Sequence, residues 1–382
     1  MRVLHLNTQF ASLGGVEAVL RFHHDHDAAH GMDSRFISFW EEAQPQFPRA
    51  RFTSFERRLS VHEARRRVAG TWPGFNPDVI LHHTTWGQPY LADLDGSARR
   101  VLFLHSDTPG LTAQLTARAP LMDGIVAVSD VLLDRARTAA PDWPAKRFLR
   151  VDYPIHPPDW LPAHRTRLPG SPLVLGYAGR LSAEQKRIER FLTLSQKLAS
   201  APFPWRIEFL GDGPQRAMLE QALPDRTRHV FHGRQSGDEY WRILQQWDAI
   251  VFTSDFEGTP IALIEAMAAG TVPIHPNLGS GGDAYARAID PLLAYPAADI
   301  EGLAGAIGKL AHWDAARWDA AQRQARVLAN RHDATTYLDR VAGFLGSIRQ
   351  EVPREKPPLR RWRFPFDRIT FAQWEWIAKW RR

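Results

Sequence analysis

The sequence has no cysteine among its 382 residues, and this absence excludes several classes of protein. Disulfide scaffolds, thiolate zinc sites, iron–sulfur clusters and cysteine nucleophiles all require cysteine. Long apolar runs are missing too, since no stretch approaches the roughly 18 apolar residues of a membrane-spanning helix. Residues 1–7 hold one Arg and a short apolar stretch broken by His5, which is too little for a signal peptide. We therefore expect a soluble, cytoplasmic protein.

Charge and hydrophobic content are ordinary for a globular chain. Lys and Arg number 48 against 42 Asp and Glu, a formal net charge of +6, and 44% of the residues are hydrophobic against 24% charged. These values exclude a disordered or fibrous protein. The length suits two domains of ordinary size, each able to bury its own core.

Short apolar, β-branched runs alternate with longer amphipathic stretches along the chain. This alternation predicts a parallel α/β architecture, and near-continuous apolar runs such as Val-Leu-Phe-Leu fit strands covered by helices on both faces. The predicted strands are 2–8, 35–40, 78–83, 100–106, 124–129, 147–153, 173–180, 205–211, 229–233, 248–253 and 271–275. The predicted fold class is therefore α/β, with doubly wound, Rossmann-like sheets.

Six prolines between residues 152 and 172 predict a stiff connector, because proline at this density excludes helix and central strand. We expect an N-terminal Rossmann-like domain at 1–160, a C-terminal one at 171–345, and a basic, Trp-rich tail at 346–382. Two such domains facing each other place a ligand cleft between the carboxyl ends of both sheets.

The most informative stretch is 253–274. A strand is predicted to end at its start, and a Gly-Thr-Pro turn then opens a helix with Pro260 in its first turn, where proline is tolerated. Glu257 lies on the loop and Glu265 lies about two turns into the helix, so both can face one crevice at different depths. The backbone N–H groups of residues 259–262 and the helix dipole form an anion site.

This stretch resembles the E-x7-E segment of retaining glycosyltransferases of family four, which have the two-domain GT-B fold. The resemblance extends to about residue 345 through further elements in the same order. These are Gly14-Gly15-Val16-Glu17, similar to the family's N-terminal phosphate-side loop; His105, at a strand end where the family often keeps a histidine; residues 173–181 with Lys186, similar to its strand–Gly-Arg–Lys element; and residues 208–214, similar to its Gly-x-Gly turn. The combination is specific, although each element alone is a weak signal.

The resemblance implies a nucleoside-diphosphate-sugar donor held mainly by the second domain, with no metal and no other cofactor. Arg180 and Lys186 would neutralise the diphosphate and the charge that grows on it as the glycosidic bond breaks. Glu265 would accept hydrogen bonds from ribose hydroxyls, and Glu257 would contact sugar hydroxyls.

The other implied site residues lie on glycine turns, on the helix start and on the first domain. The backbone of Gly14 and Gly15 would approach the phosphates from the first domain, and His105 would lie near the reacting face of the sugar or the acceptor. Further donor contacts are implied for Gly213, Gly258, Thr259, Pro260 and Ile261. Gly213 serves either the donor or only its own turn, and Gly281–Gly282 either presents backbone N–H groups or forms a flexible loop.

The implied reaction transfers a sugar, with retention of configuration, to a glycan, lipid-linked or small-molecule acceptor in bacterial-type surface polysaccharide or glycoconjugate synthesis. The alternative is a non-catalytic nucleotide-sugar-binding protein with a degenerate site. Three positions depart from the family pattern. They are Arg187 where Gly is common, Thr259 where an aromatic residue is common, and Gly281-Gly282-Asp283-Ala284-Tyr285 where Gly-Gly-x-x-Glu is frequent.

One histidine-rich segment suggests metal ligands: His23-His24-Asp25-His26-Asp27, followed by His30. It lies in the amphipathic stretch 16–30, in which the apolar residues mark a packed helix. We interpret the His and Asp side chains as the polar face of that helix and expect no metal site.

The C-terminal tail combines positive charge with aromatic residues. From residue 354 onward nine Lys and Arg are interleaved with seven Trp and Phe. This tail either packs back on the first domain or lies on an anionic membrane surface, which would make the protein peripheral on the inner face of the membrane. A nucleic-acid partner is not expected, because the aromatic residues follow helical spacing.

Overall fold

The computed structural model describes residues 1–12, 14–86, 91, 97–162, 167, 170–356 and 368–373. The chain forms two compact units. The first comprises residues 1–105, 110–151 and 335–382, and the second comprises residues 106–109 and 152–334. Each unit contains its own parallel sheet, so the predicted α/β class with two Rossmann-like sheets is confirmed.

The first unit is built on a seven-stranded sheet of order β3-β2-β1-β4-β5-β6-β7. Its strands β4 and β6 are buried at every residue, as strands covered on both faces should be. The strands are β1 (Arg2–Asn7), β2 (Asp33–Ser38), β3 (Ala50–Phe52), β4 (Val79–His82), β5 (Arg99–Leu104), β6 (Gly124–Ala127) and β7 (Phe148–Arg150), and the helices are α1 (Gly15–His26), α2 (Val61–Ala69), α3 (Leu111–Arg118) and α4 (Asp130–Ala139).

The second unit is built on a six-stranded sheet of order β10-β9-β8-β11-β12-β13. The strands are β8 (Leu173–Ala178), β9 (Trp205–Leu210), β10 (His229–Gly233), β11 (Ala249–Val251), β12 (Val272–Asn277) and β13 (Ala294–Pro296), and the helices are α5 (Arg190–Leu198), α6 (Arg216–Ala222), α7 (Gly237–Leu244), α8 (Ile261–Ala268), α9 (Gly282–Ile289), α10 (Ile300–Ala311) and α11 (Ala315–Ala329). The strand order reverses between β8 and β11, and ligands of doubly wound sheets bind beyond the carboxyl ends of strands at such a point.

All of the predicted strands are present, with ends shifted by up to three residues. The prediction missed β3 and β13. Both are three-residue strands at the edge of a sheet. A run this short shows neither alternation nor a sustained apolar stretch, so the pattern contains no signal for it.

The structure divides the chain differently from the predicted domain bounds. The first continuous part of the first unit ends at Val151, before the predicted connector. The last helix, α12 (Ala334–Gln350), also belongs to this unit from residue 335 onward. The reason is packing: α12 lies against β6, where a Cβ on Gly124 would come within 2.9 Å of the Phe344 ring and 3.1 Å of Ile348 Cδ1. Glycine at this strand position lets the helix approach closely.

The described parts of the tail lie on the first unit. Lys356 Nζ is 2.7 Å from the buried carboxylate of Asp123, and Phe371 is buried with its ring 5.9 Å from that of Trp40. The predicted membrane contact depends on residues 366–380, of which only 368–373 are among the described residues. Among the helices that are described, none is both long and apolar enough to cross a membrane.

A buried tryptophan packs against the central strands of the second sheet. The Trp247 side chain is fully buried, and its Nε1 donates to Glu208 Oε2 at 3.0 Å. Burial alone would raise the pKa of Glu208, but hydrogen bonds from His232 and Trp247 and the charge of Arg206 hold this pKa below its usual value. The indole ring occupies the space above Gly176 in β8, where a Cβ would lie 1.9 Å from a ring carbon.

We expect Gly176→Ala to lower the free energy of unfolding by about 3 kcal/mol, because the enclosed Trp247 ring has no room to move. Gly305→Ala in α10 is the matched control, since no atom of the described residues, apart from its own stretch of helix, lies within 4 Å of its added Cβ. In the helix interior this change should stabilise by about 0.5–1 kcal/mol. Urea unfolding of both variants tests the expectation, and equal midpoints would contradict it.

Candidate functional site

The candidate site of the second unit begins where β8 and β9 end. The two loops that follow these strands are joined by backbone hydrogen bonds, from Leu181 N to Asp212 O at 2.9 Å and from Gln215 N to Leu181 O at 3.0 Å. A Cβ on Gly213 would lie 2.4 Å from Leu181 O. Glycine is therefore required at 213 for the loops to meet, whatever its part in donor binding.

The structure brings two predicted site residues, Lys186 and Glu257, into direct contact. Lys186 Nζ lies 2.7 Å from Glu257 Oε1, and Ser254 Oγ donates to the same oxygen at 2.5 Å. Gln185 Nε2 donates to the other oxygen at 3.3 Å. The Glu257 side chain is 5% exposed, so these donors hold a buried carboxylate in one orientation.

Hydrogen bonds to two backbone carbonyls hold the loop of Lys186 against the loop that follows β11. Thr253 Oγ1 donates to the carbonyl of Lys186 at 2.9 Å, and Asp255 N donates to the carbonyl of Gln185 at 3.0 Å. The loop that follows β8 and the loop that follows β11 are thereby tied together. These are the two strands at which the order of the sheet reverses.

Arg180 and Arg187 differ in their surroundings. The Arg180 side chain is exposed, and its guanidinium forms no ion pair with any residue that the structure describes. Arg187 has a φ of +51°, which explains why glycine suits this position. Its Nε lies 2.5 Å from Asp255 Oδ2, and this ion pair raises the pKa of Arg187. Arg187 is therefore engaged in holding the loop.

The predicted helix after the Gly-Thr-Pro turn is confirmed as α8, with Pro260 as its N-cap. Since proline has no N–H group, the predicted anion site at residues 259–262 offers three N–H groups rather than four. Within the described part of the chain, those of Thr259, Ile261 and Ala262 have no hydrogen-bond partner, as expected for a first helical turn. Gly258 and Thr259 are buried beside them.

Glu265 has a partner that the sequence did not reveal. It lies in α8, and Tyr240 of α7 donates a hydrogen bond of 2.5 Å to its Oε2. Burial raises the pKa of Glu265, and the tyrosine hydrogen bond opposes this shift. Burial and the adjacent carboxylate together raise the pKa of Tyr240 well above its usual value. The two residues are 25 positions apart, so no local motif could have paired them.

Three backbone donors at the Gly281–Gly282 turn are already engaged by a side chain. The N–H groups of Gly279, Ser280 and Gly281 donate to the carboxylate of Asp283 at 3.2, 3.0 and 3.2 Å. Asp283 is itself fully buried and paired with Arg287 at 2.6 Å. A carboxylate of the chain itself, that of Asp283, therefore occupies these three amides.

The glycine loop of the first unit is likewise next to carboxylates. Gly14 precedes α1 with an extended backbone, and a Cβ there would meet the Glu17 carboxylate at 2.1 Å. The N–H groups of residues 10–12 donate to the Glu41 carboxylate at 2.5, 3.1 and 2.8 Å. Gly15 is the first residue of α1. The second unit therefore shows the clearer anion site.

The interpretation of residues 23–30 as a polar helix face was wrong for three of its members. His23, His24 and Asp27 are buried, while Asp25 and His26 are exposed. Among the described residues, one group of possible metal ligands places its atoms within 4.8 Å of one another: His5, His23 and Asp27. His23 Nδ1 is hydrogen-bonded to Asp27 Oδ1 at 2.7 Å, whereas His5 Nε2, 3.3 Å from Asp27 Oδ2, forms no hydrogen bond with any residue that the structure describes.

His105 lies at the end of a buried row of imidazole rings. His5 Nδ1 is 3.0 Å from His83 Nε2, and His83 Nδ1 is 2.9 Å from His105 Nε2. Burial lowers the pKa of His5 to about 4 and that of His105 to about 3, and it lowers the pKa of His83 well below its usual value. All three rings are therefore neutral at pH 7.

Comparison with known proteins finds a family match within the second unit. Residues 172–312 match the family model described as Glycosyl transferases group 1. The chain is similar to the lipopolysaccharide 1,6-galactosyltransferase of Salmonella typhimurium, with 34% identity over 118 residues, 29% of this chain and 32% of that one. It is also similar to the 2-deoxystreptamine glucosyltransferase of Streptomyces kanamyceticus, with 32% identity over 126 residues and 32% of each chain. The matches span about a third of the length of these relatives.

Solved structures match over most of the chain. The apo form of the lipopolysaccharide outer core galactosyltransferase WaaB has a TM-score of 0.65 at 18% identity, covering 91% of this chain and 99% of that one. Anabaena Alr3699/HepE in complex with UDP-glucose has a TM-score of 0.70 at 17% identity, covering 91% and 100%. The fold is therefore GT-B, and together these findings support a GT-B glycosyltransferase.

We expect the free energy of unfolding to fall as the pH is lowered from about 6.5 to 4, with roughly 1 kcal/mol per pH unit for each buried histidine. His5, His82, His83 and His105 have folded-state pKa values below the ordinary 6.5, so the unfolded chain binds protons in this range that the folded chain does not. Asp27 acts in the same direction at lower pH, because its folded-state pKa is depressed. Urea unfolding at several pH values measures this slope, and a stability unchanged between pH 7 and 5 would contradict it.

Proposed function

We propose that the chain is a retaining glycosyltransferase that transfers a sugar from a nucleoside-diphosphate sugar to a glycan, lipid-linked or small-molecule acceptor. The observation that carries the proposal is the contact of Lys186 with Glu257 at the carboxyl ends of β8 and β11, beside the first turn of α8. A cation, a fixed carboxylate and open helix N–H groups meet there, where doubly wound sheets bind their ligands.

The diphosphate would be held by positive charge that the chain itself supplies. Lys186 donates one of its three ammonium hydrogens to Glu257, which leaves two for phosphate oxygens. The exposed guanidinium of Arg180 and the first N–H groups of α8 add to this charge. Such fixed donors stabilise a leaving diphosphate in the transition state, so we propose that the reaction needs no metal ion.

The two glutamates would hold different parts of the donor. Glu265 would accept hydrogen bonds from the ribose, with Tyr240 holding its carboxylate in place. Glu257 would contact the hydroxyls of the sugar, and its contacts with Lys186 and Ser254 orient it for this role. Because Lys186, Ser254 and Gln185 already engage Glu257, we propose a front-face mechanism guided by the leaving diphosphate rather than attack by this carboxylate.

Acceptor and pathway are proposed from the relatives. One of them is named as a lipopolysaccharide galactosyltransferase and another as a 2-deoxystreptamine glucosyltransferase. We propose synthesis of a surface polysaccharide or glycoconjugate for this chain, with the first unit binding the acceptor. The cytoplasmic location and the membrane contact of the tail stay predictions.

A thermal-shift panel tests whether the second unit binds a nucleotide sugar. UDP, GDP, ADP, CMP and dTDP, each with its common sugars, are added in the presence of chelator. A ligand at about a hundred times its dissociation constant stabilises the folded state by roughly 2.7 kcal/mol, so one nucleotide should raise Tm clearly. A panel that responds only after Mg²⁺ or Mn²⁺ is added contradicts the metal-free reaction, and a panel without any response contradicts the proposed function.

Two substitutions separate donor binding from turnover. Glu265→Ala should raise the dissociation constant of the stabilising nucleotide about 10- to 100-fold, because it removes a charged hydrogen-bond acceptor. Lys186→Ala should lower kcat about 100-fold with a smaller effect on binding, because charge on the diphosphate grows in the transition state. Lys197→Ala is the control, since this exposed lysine of α5 pairs with Glu301 of α10 and with none of the proposed site residues. Near wild-type calorimetry and donor-hydrolysis rates for the first two variants would refute these roles.

A further inference from the structure

We propose that His5, His23 and Asp27 bind a structural zinc ion, contrary to the expectation from the sequence that residues 23–30 form no metal site. The zinc site, as we call these three residues, joins the first strand to the first helix. His5 lies in β1, His23 lies in α1, and Asp27 directly follows α1. The site belongs to the first unit and takes no part in the proposed sugar transfer, so the proposal does not rest on that function.

The imidazole of His5 gives the strongest indication of a missing ligand. The residue is 1% exposed, and its Nε2 forms no hydrogen bond with any residue that the structure describes. A buried polar atom without a partner costs free energy, and protein interiors contain few of them. A carboxylate oxygen, Asp27 Oδ2, lies 3.3 Å from this nitrogen. A cation bound by both atoms would satisfy the nitrogen and the carboxylate together.

The three side chains offer ligand atoms at a suitable spacing, since these atoms all lie within 4.8 Å of one another. Zinc binds histidine nitrogen and carboxylate oxygen at about 2.1 Å, so two ligand atoms on one tetrahedral ion are about 3.4 Å apart. The 3.3 Å between His5 Nε2 and Asp27 Oδ2 already has this value. His23 Nδ1 is 2.7 Å from Asp27 Oδ1, so zinc requires these two atoms to separate by about 0.7 Å.

The position of the ligands in the chain also favours a metal site. His23 and Asp27 are four residues apart at the end of a helix, and side chains at this spacing lie on the same helix face. Two zinc ligands are spaced in this way in H-E-x-x-H helices. The third ligand comes from a strand, with the His5 ring centroid 5.0 Å from that of His23. A motif within α1 alone could not reveal this third ligand.

Both histidines have a partner for the ring nitrogen that would not bind zinc. His5 Nδ1 lies 3.0 Å from His83 Nε2, and His23 Nε2 lies 2.7 Å from the hydroxyl of Tyr337. Zinc-binding histidines almost always donate their second N–H to a neighbouring group, and this contact fixes the orientation of the ring. The structure thus supplies the outer contacts that a zinc site needs. Tyr337 lies in α12, so the site also touches the last helix of the first unit.

Burial and ligand type together select a structural zinc ion. Catalytic zinc and non-haem iron sites keep a coordination position open to substrate, whereas the three residues here are at most 1% exposed. Magnesium and calcium prefer oxygen ligands, while this site offers two imidazoles. A tetrahedral zinc ion would take one enclosed water molecule as its fourth ligand.

The metal content of the full chain, free of any polyhistidine tag, tests the site directly. The protein is stripped with chelator, incubated with Zn²⁺ and passed through a column that contains a weak chelator, which removes zinc from exposed histidines. Mass spectrometry should then find about one zinc per chain. Co²⁺ in its place should give the intense visible absorption of a tetrahedral ion. A wild-type chain that retains no zinc, or a weak octahedral cobalt spectrum, overturns the proposal.

Two ligand variants and two matched controls locate the ion. His5→Phe keeps an aromatic ring beside Phe36, and Asp27→Asn keeps the side-chain shape but removes its charge. Each should retain less than about a tenth of the wild-type zinc. His82→Phe replaces a buried histidine of β4 outside the site, and His26→Ala replaces an exposed histidine of α1. Both controls should retain all of it. Full retention in the ligand variants, or equal loss in the controls, overturns the proposal.

A spectrum of the wild-type chain gives an answer even if the ligand variants do not fold. Long-range ¹H–¹⁵N spectra of ¹⁵N-histidine-labelled protein, with and without Zn²⁺, distinguish binding through the two ring nitrogens. We expect one histidine bound through Nε2, as for His5, and one bound through Nδ1, as for His23. A spectrum that zinc leaves unchanged, or two histidines bound through the same type of nitrogen, overturns the proposal.

Thermal unfolding tests the structural role of the ion. Removal of zinc should lower the Tm of the wild-type chain by about 5 °C or more, because the ion binds only the folded state. His5→Phe should make Tm independent of chelator, and His82→Phe should keep the dependence. A wild-type Tm that does not respond to zinc removal overturns the structural role. No nucleotide is needed for this comparison, so its result is independent of the proposed function.

Discussion

Parallel sheets with both faces buried leave few places for polar side chains, and this constraint organises both units. The groups proposed for chemistry lie where strands end, at Lys186 beyond β8, at Glu257 beyond β11 and at His105 beyond β5. Loops there can expose backbone and side-chain donors, whereas the strands themselves are covered. The reversal of strand order between β8 and β11 brings two such loops together, and the contact of Lys186 with Glu257 is its direct result.

Polar groups that do lie inside the covered layers must be paired, because an unpaired buried charge is costly. Glu208 in β9 accepts from Trp247 and His232, and Asp27 accepts from His23 and Ser34. In each case a carboxylate gathers donors from different parts of the chain.

Much of the candidate site was predictable because its signals are local. The apolar runs predicted the strands, and Gly-Thr-Pro followed by an apolar stretch predicted α8 with Glu265 in it. What could not be predicted depends on contacts between distant residues. Tyr240 reaches Glu265 from another helix, Asp283 occupies the amides of the Gly281 turn, and His23 with Asp27 turns inward rather than to solvent.

The sequence by itself determined the alternation of strands and helices, the parallel α/β class and the chain positions at which loops follow strands, since hydrophobic periodicity and turn chemistry act over a few residues. Only the tertiary structure decided that Lys186 meets Glu257, that α12 returns to the first unit, and that His5, His83 and His105 form one row. The physical reason is that the order of strands in a sheet decides which strand ends are neighbours, and a periodic pattern does not contain this order. Buried charges then pair with the groups that this order brings within hydrogen-bonding distance.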